Sequence, residues 1–203
     1  VFLTTIIKLY SRSNFPEGHC AMEKPKMILM AEEKLAREVT LGVIVTRPLT
    51  VWHYIIPGMF IIDFLRRGSA LKKYTDHFMF PRKRAIDAAQ ALAQGQTAAD
   101  VFEHVENDTR TWLSSLDLYT PGLLQAQVSA IQLLVDHYGR LLKEEGYSVY
   151  ALIKAAYQTR ENLQGFYDQL TAAEAEVDRE LLAKMGESDK LKEKILAEQK
   201  QLV

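Results

Sequence analysis

Residues 120–146 read TPGLLQAQVSAIQLLVDHYGRLLKEEG, and this stretch decides the fold. A threonine followed by proline opens it, as is typical of a helix whose first residue is proline, and Gly146 closes it. Between these ends, apolar residues recur at spacings of three and four, which places them on one face of a helix. These residues are Leu124, Val128, Ile131, Leu134, Val135, Tyr138, Leu141 and Leu142. The stretch therefore predicts an amphipathic helix with one face in a core.

The flanking sequence has the same helical character. An alanine-rich helix is predicted up to Gly95, and Thr97 is the expected cap of a helix over residues 98–116, with Val101, Val105, Trp112 and Leu116 towards the core. Ser148 is the expected cap of a long helix that reaches about residue 185, since apolar residues there alternate by three and four. Residues 187–203 predict a charged tail helix. The fold class is therefore all-α, with an acidic helical bundle over residues 87–203.

A hydrophobic segment precedes this bundle. Residues 48–65 read PLTVWHYIIPGMFIIDFL, and twelve of these 18 residues are apolar. About 20 apolar residues are needed to span a bilayer, and Pro57-Gly58 would kink or break a helix at its middle. Three interpretations stay open: a kinked helix that spans the membrane, a helical hairpin that returns to the same face, and a pair of buried core helices in a soluble protein.

The distribution of charge favours the membrane interpretations. The formal net charge is −1, which excludes a globally basic nucleic-acid-binding protein, but residues 1–86 carry 14 Lys/Arg against 7 Asp/Glu. Seven of these cations lie in residues 66–86, and basic residues beside an apolar segment mark the cytoplasmic side and attract anionic lipids. Phe78, Met79 and Phe80 lie between the basic clusters, as expected of an interfacial segment.

We therefore predict a membrane-attachment region over residues 22–86. The residues expected to contact the membrane are Trp52, Tyr54, Ile55, Ile56, Pro57, Met59, Phe60, Ile61, Phe64, Arg66, Arg67, Lys72 and Lys73.

A sequence pattern within about residues 30–95 resembles a known family. The pattern consists of Pro48, Trp52, Ile56, Pro57, Phe60 and Phe64, a short basic linker, and then Phe80, Arg84, Ala85, Asp87, Ala88 and Ala89. Its order is similar to that of a family of small uncharacterised helical proteins from anaerobic, mostly sulfate-reducing bacteria. The resemblance implies a bacterial origin and membrane association, and it implies no activity.

Residues 1–21 differ in character from the rest of the chain. The chain starts at Val1, codons for Glu17-Gly18 can spell a ribosome-binding site, and a normal charged start comes at Met22. We therefore predict that residues 1–21 are translated upstream sequence. A real N-terminal arm and a cleaved signal peptide are the alternatives, although no basic region precedes the short apolar stretch.

No pattern in the chain predicts catalysis. The single cysteine, Cys20, excludes an intrachain disulfide and a cysteine-based zinc cluster. Glu103, His104, Glu106, Asp136 and His137 could assemble a metal site across helices, but they lack the Glu-x-x-His spacing of di-iron bundles, so we interpret them as surface polar residues. We predict no enzymatic activity and no cofactor.

These observations predict a structural or partner-tethering protein at the cytoplasmic face of the inner membrane. Its expected partners are an anionic lipid surface and a protein, or a second copy of the chain, and no nucleic acid. One alternative is a soluble cytoplasmic homo-oligomer that uses residues 48–65 as its interface. The other alternative is a metal-binding helical bundle.

Overall fold

The structure is a computed structural model that describes residues 23–45 and 70–186. Within these ranges every regular secondary-structure element is a helix, which confirms the all-α class. The helices are α1 (Lys24–Val45), α2 (Ala70–Ala93), α3 (Ala98–Ser115), α4 (Pro121–Lys143), α5 (Val149–Tyr157) and α6 (Arg160–Gly186). None of these helices is both long enough and apolar enough to cross a bilayer. The hydrophobic segment over residues 48–65, the predicted tail helix and residues 1–21 lie outside the described residues.

Hydroxyl side chains begin three of the helices, as predicted. Thr97, Thr120 and Ser148 each accept a hydrogen bond from the backbone N–H three residues later, at 3.2, 3.0 and 3.2 Å. These bonds satisfy N–H groups that have no partner within the helix. Pro121 occupies the first turn of α4, and Gly95 has a φ of 88° just beyond α2. The ends of α2, α3 and α4 thus lie where the sequence predicts them.

One helix boundary differs from the prediction. The long helix expected from residue 149 to about residue 185 is interrupted after Tyr157, where Gln158 adopts a φ of 58°. The Thr159 N–H donates to the Tyr157 carbonyl at 2.5 Å, which closes a tight three-residue turn. Thr159 Oγ1 then accepts from the N–H of Asn162 at 3.2 Å and begins α6. The apolar spacing runs across this break, and Leu152 of α5 and Leu163 and Leu170 of α6 are all buried in the same hydrophobic core.

Helix α4 lies at the centre of the bundle and packs against α2, α3, α5 and α6. Its predicted apolar stripe is confirmed, since Ile131 and Tyr138 are completely buried and Leu142 is the stripe's one partly exposed member. In α3, however, the core residue beside Trp112 is Leu113, while Trp112 is half-buried and stacks on Phe80.

The helices pack antiparallel to their neighbours in the chain. In α1 and α2, Glu32 pairs with Arg82, and Ala36, one turn later in α1, packs with Phe78 and Met79, one turn earlier in α2. This order places Val45, where α1 ends, at the same end of the bundle as Ala70, where α2 begins. We call this end the Val45 end.

Helices α4 and α6 are antiparallel as well. His137 stacks on Phe166, and Gly122 lies against Glu180. Phe80 of α2 stacks on Trp112 of α3 and Arg84 pairs with Asp108, so α2 and α3 also run in opposite directions. It follows that α6 ends towards the Val45 end.

Candidate functional site

The residues predicted to contact a membrane fall almost entirely outside the described part of the chain. Only Lys72 and Lys73 are described, as backbone in the first turn of α2. The residues outside the described ranges are Trp52, Tyr54, Ile55, Ile56, Pro57, Met59, Phe60, Ile61, Phe64, Arg66 and Arg67.

The interfacial interpretation of residues 78–80 was wrong. Phe78 and Met79 are buried against Ala36 of α1, and Phe80 stacks on Trp112 with ring centroids 4.3 Å apart. Arg82, assigned to the basic membrane-facing stretch, is buried too. These side chains belong to the bundle core because α1 and α3 cover the face of α2 that carries them.

The candidate metal ligands do not come together. Within residues 23–45 and 70–186, no three His, Cys, Asp or Glu side chains are grouped closely enough to hold a metal ion. His104 is exposed, with its Nε2 atom 3.6 Å from Asp108, and Glu106 pairs with Arg110. The interpretation of His137 as a surface residue was wrong, because His137 is buried. Glu103 and Asp136 are exposed, as expected.

His137 lies in an aromatic environment formed by three helices. Its Nδ1 atom shares a hydrogen bond of 2.7 Å with the Tyr157 hydroxyl of α5, and its ring stacks on Phe166 of α6 at 4.4 Å. Burial lowers the pKa of His137 to about 3, and the charges of Arg140 and Arg82 act in the same direction. The imidazole is therefore neutral at physiological pH.

The most unusual group of side chains in the bundle is polar and surrounds Arg82. Arg82 Nε donates to Glu32 Oε2 at 3.1 Å, and both side chains are less than a tenth exposed. The guanidinium also donates to the Phe78 carbonyl and lies over the Phe78 ring, 3.6 Å from its centroid. A buried ion pair of this kind is costly to break because one charge would be left uncompensated.

Helix α6 adds two further carboxyl groups to this region. Glu174 Oε1 lies 3.9 Å from Arg82 Nη2, and Asp178 comes one helical turn later. Asp178 is only 6% exposed, and its Oδ1 atom has no hydrogen-bond partner among the described residues. We call Glu32, Arg82, Glu174 and Asp178 the Arg82 cluster.

Burial dominates the ionisation of the α6 carboxyls. It raises the pKa of Glu174 to about 7, opposed by Arg82 and assisted by the charges of Asp178 and Glu32. Burial also raises the pKa of Asp178 to about 7. The cluster can therefore take up and release protons near neutral pH.

Two tyrosines lie beside the Arg82 cluster, the fully buried Tyr138 and the half-buried Tyr167. Burial raises the pKa of Tyr138, and the charge of Glu32 raises it further. Burial and then the charge of Glu32 likewise raise the pKa of Tyr167. Both phenols are therefore neutral at physiological pH and add no charge to the cluster.

Sequence reasoning missed this cluster. Glu32, Glu174 and Asp178 occur among many other charged residues, and Arg82 lies in a basic run. The one sequence feature that could have indicated a buried Arg82 is its position, because Arg82 occurs one helical turn before Ala85 and Ile86, which are both buried.

Comparisons with protein-family models, curated proteins and solved structures yield no match for this chain.

Proposed function

We propose that this is a membrane-associated tethering protein, attached at the cytoplasmic face of the inner membrane through residues 46–69, which presents its bundle to a protein partner. The observation that carries the proposal is the antiparallel packing of α1 and α2, which brings Val45 and Ala70 to one end of the bundle. The 24 residues between them are therefore connected to the bundle at one end only.

This packing favours a hairpin over a single span. A single span would place α1 and α2 on opposite sides of the membrane, where Glu32 and Arg82 could not meet. A helical crossing needs about 20 residues, so 24 residues are too few for two crossings. The hairpin is therefore the form of attachment that we propose, with the break at Pro57-Gly58 that the sequence predicts.

Side chains at the Val45 end suit a lipid surface. Tyr119, in the loop between α3 and α4, is 40% exposed, and Leu182 near the end of α6 is 44% exposed. Lys72 and Lys73 lie in the first turn of α2 at this end. Exposed apolar side chains with nearby cations are the features by which interfacial proteins bind anionic membranes.

Two further predictions from the sequence, the bacterial origin and the family resemblance, are part of this proposal. A bacterial origin and the resemblance to proteins of sulfate-reducing bacteria agree with it. A soluble homo-oligomer that buries residues 48–65 between subunits is the competing function, and it uses the same segment.

Cell fractionation tests the attachment. The full chain should sediment with membranes, and substitution of both Ile56 and Phe60 by Glu should release it. The matched control is Tyr147→Glu, because Tyr147 is fully exposed in the loop between α4 and α5, far from the Val45 end. Recovery of the unsubstituted chain without detergent in the soluble fraction would refute attachment, and an oligomer in that fraction would support the competing function.

Cysteine labelling tests the hairpin. In a Cys20→Ser background, single cysteines at the exposed positions Lys26 and Gln94 flank the segment on its two sides. A membrane-impermeant maleimide should label both positions from the cytoplasmic side only. Labelling of the two positions from opposite sides would demonstrate a span and contradict the hairpin.

A further inference from the structure

Counted over the described residues, the Arg82 cluster holds more acid groups than cations. Arg82 is already paired with Glu32 at 3.1 Å, and its contact with Glu174 is longer, at 3.9 Å. Coulomb attraction falls with distance, and Glu32 makes the shorter contact. The charge of Arg82 therefore stabilises the carboxylate of Glu174 less than that of Glu32. Within the described residues, the carboxyl groups of the cluster outnumber its guanidinium by three to one.

Asp178 makes this imbalance worse. It lies four residues after Glu174, so both side chains lie on the same face of α6. Its buried Oδ1 atom accepts no hydrogen bond from any described residue. An ionised carboxylate with this buried and unsatisfied oxygen is unfavourable, so the neutral acid is the form that fits the packed helix.

We propose that Glu174 and Asp178 form a proton-operated switch that controls how firmly the C-terminal half of α6 packs on the bundle. With both carboxyls neutral, the C-terminal half of α6 packs on α4 and lies beside the guanidinium of Arg82. When the carboxyls ionise, repulsion between them and from Glu32 loosens this half of the helix. The inference does not depend on membrane attachment.

In the Arg82 cluster, Glu174 and Asp178 are the groups that titrate near neutral pH. The charged groups that act on Glu174 are Arg82 of α2, Asp178 of its own helix and Glu32 of α1, whereas burial is what raises the pKa of Asp178. The α4 phenol of Tyr138 and the α6 phenol of Tyr167 stay neutral because burial raises the pKa of each. His137 of α4 and Tyr157 of α5 are neutral in the same range of pH.

Hydrogen exchange of the full chain tests the switch. Between about pH 6 and about pH 8, and after correction for the intrinsic pH dependence of amide exchange, peptides from residues 170–186 should lose protection by about tenfold or more. Peptides from the centre of α4 should keep their protection. The double variant Glu174→Gln/Asp178→Asn holds both groups neutral, and its α6 should stay protected at both pH values.

The matched control is Glu176→Gln on the same helix. Glu176 pairs with Arg179 at the surface and lies outside the cluster, so this variant should keep the response of the unsubstituted chain. If the double variant does not fold, Glu174→Gln alone should show a smaller response than the Glu176→Gln control. A flat profile in the unsubstituted chain, or equal responses in the cluster variants and the control, would overturn the proposal.

Discussion

The imidazole of His137 and the hydroxyl of Tyr157 lie 2.7 Å apart, Nδ1 to Oη, inside the bundle. The bond joins α4 to the last residue of α5, immediately before the tight turn at Gln158. Phe166 of α6 stacks on the same imidazole with an interplanar angle of 7°. One histidine thus holds α5 and α6 against the central helix.

Removal of the Tyr157 hydroxyl should destabilise the protein. Tyr157→Phe leaves Nδ1 of His137 without its partner in a buried site, so the free energy of unfolding should fall by about 1–3 kcal/mol. Tyr150→Phe on the same helix is the control, because Tyr150 is exposed and should tolerate the change. Urea denaturation compares the two variants, and equal stabilities would contradict the role of the bond.

Acid should remove the contribution of His137 to stability. Its pKa is lowered to about 3 in the folded chain, mainly by burial, against about 6.5 in the unfolded chain. A lowered pKa means that the unfolded state binds the proton first, so the contribution of His137 to stability is complete above about pH 6.5 and is lost as the pH falls towards about 3. The raised pKa values of Glu174 and Asp178 act in the opposite direction, because their protonation favours the folded state as the pH falls through about 7.

The matched variants for this effect are His137→Gln and His104→Gln. The first removes the group that titrates, so its stability profile should lack the loss that His137 contributes between about pH 6.5 and about pH 4. The second removes an exposed histidine and should leave the loss unchanged. Chemical denaturation at a series of pH values measures both. A loss of the same size in the two variants would show that other groups cause it.

Replacement of Arg82 should destabilise the protein severely. Arg82→Met removes the buried cation that pairs with Glu32, which should lower the free energy of unfolding by about 3–5 kcal/mol. Adding Glu32→Gln should recover part of this loss because the buried charge is removed as well. Arg110→Met breaks the exposed pair with Glu106 and should cost no more than about 1 kcal/mol. Similar losses for Arg82→Met and Arg110→Met would mean that the buried pair has no special role.

Two glycines of α4 should respond differently to alanine. A Cβ at Gly139 meets nothing within 4 Å, so Gly139→Ala should stabilise the helix by about 0.5–1 kcal/mol. A Cβ at Gly122 would collide with the carboxylate of Glu180, so Gly122→Ala must displace that side chain and should lack this gain. Thermal unfolding distinguishes them, and equal gains would show that the contact between Gly122 and Glu180 is unimportant.

The sequence alone determined the helical class and most of the helix ends. Thr97, Thr120 and Ser148 were recognisable because a capping hydroxyl acts on a backbone N–H only three residues away. The stripe of α4 was recognisable because helical periodicity depends on local spacing. The break at Gln158 was missed because the apolar spacing continues through it.

Only the tertiary structure decided which charged and polar residues are buried. Arg82 and Lys83 are neighbours in a basic run, yet Arg82 is buried beside Glu32, which is 50 residues away in the sequence. His137 and His104 each come directly after an acidic residue, yet one is buried against Tyr157 and the other is exposed. Helical spacing fixes the face on which a side chain lies, but the partner that covers this face comes from a distant part of the chain. The antiparallel pairing of α1 with α2 decided this for Arg82, and the packing of α5 and α6 on α4 decided it for His137.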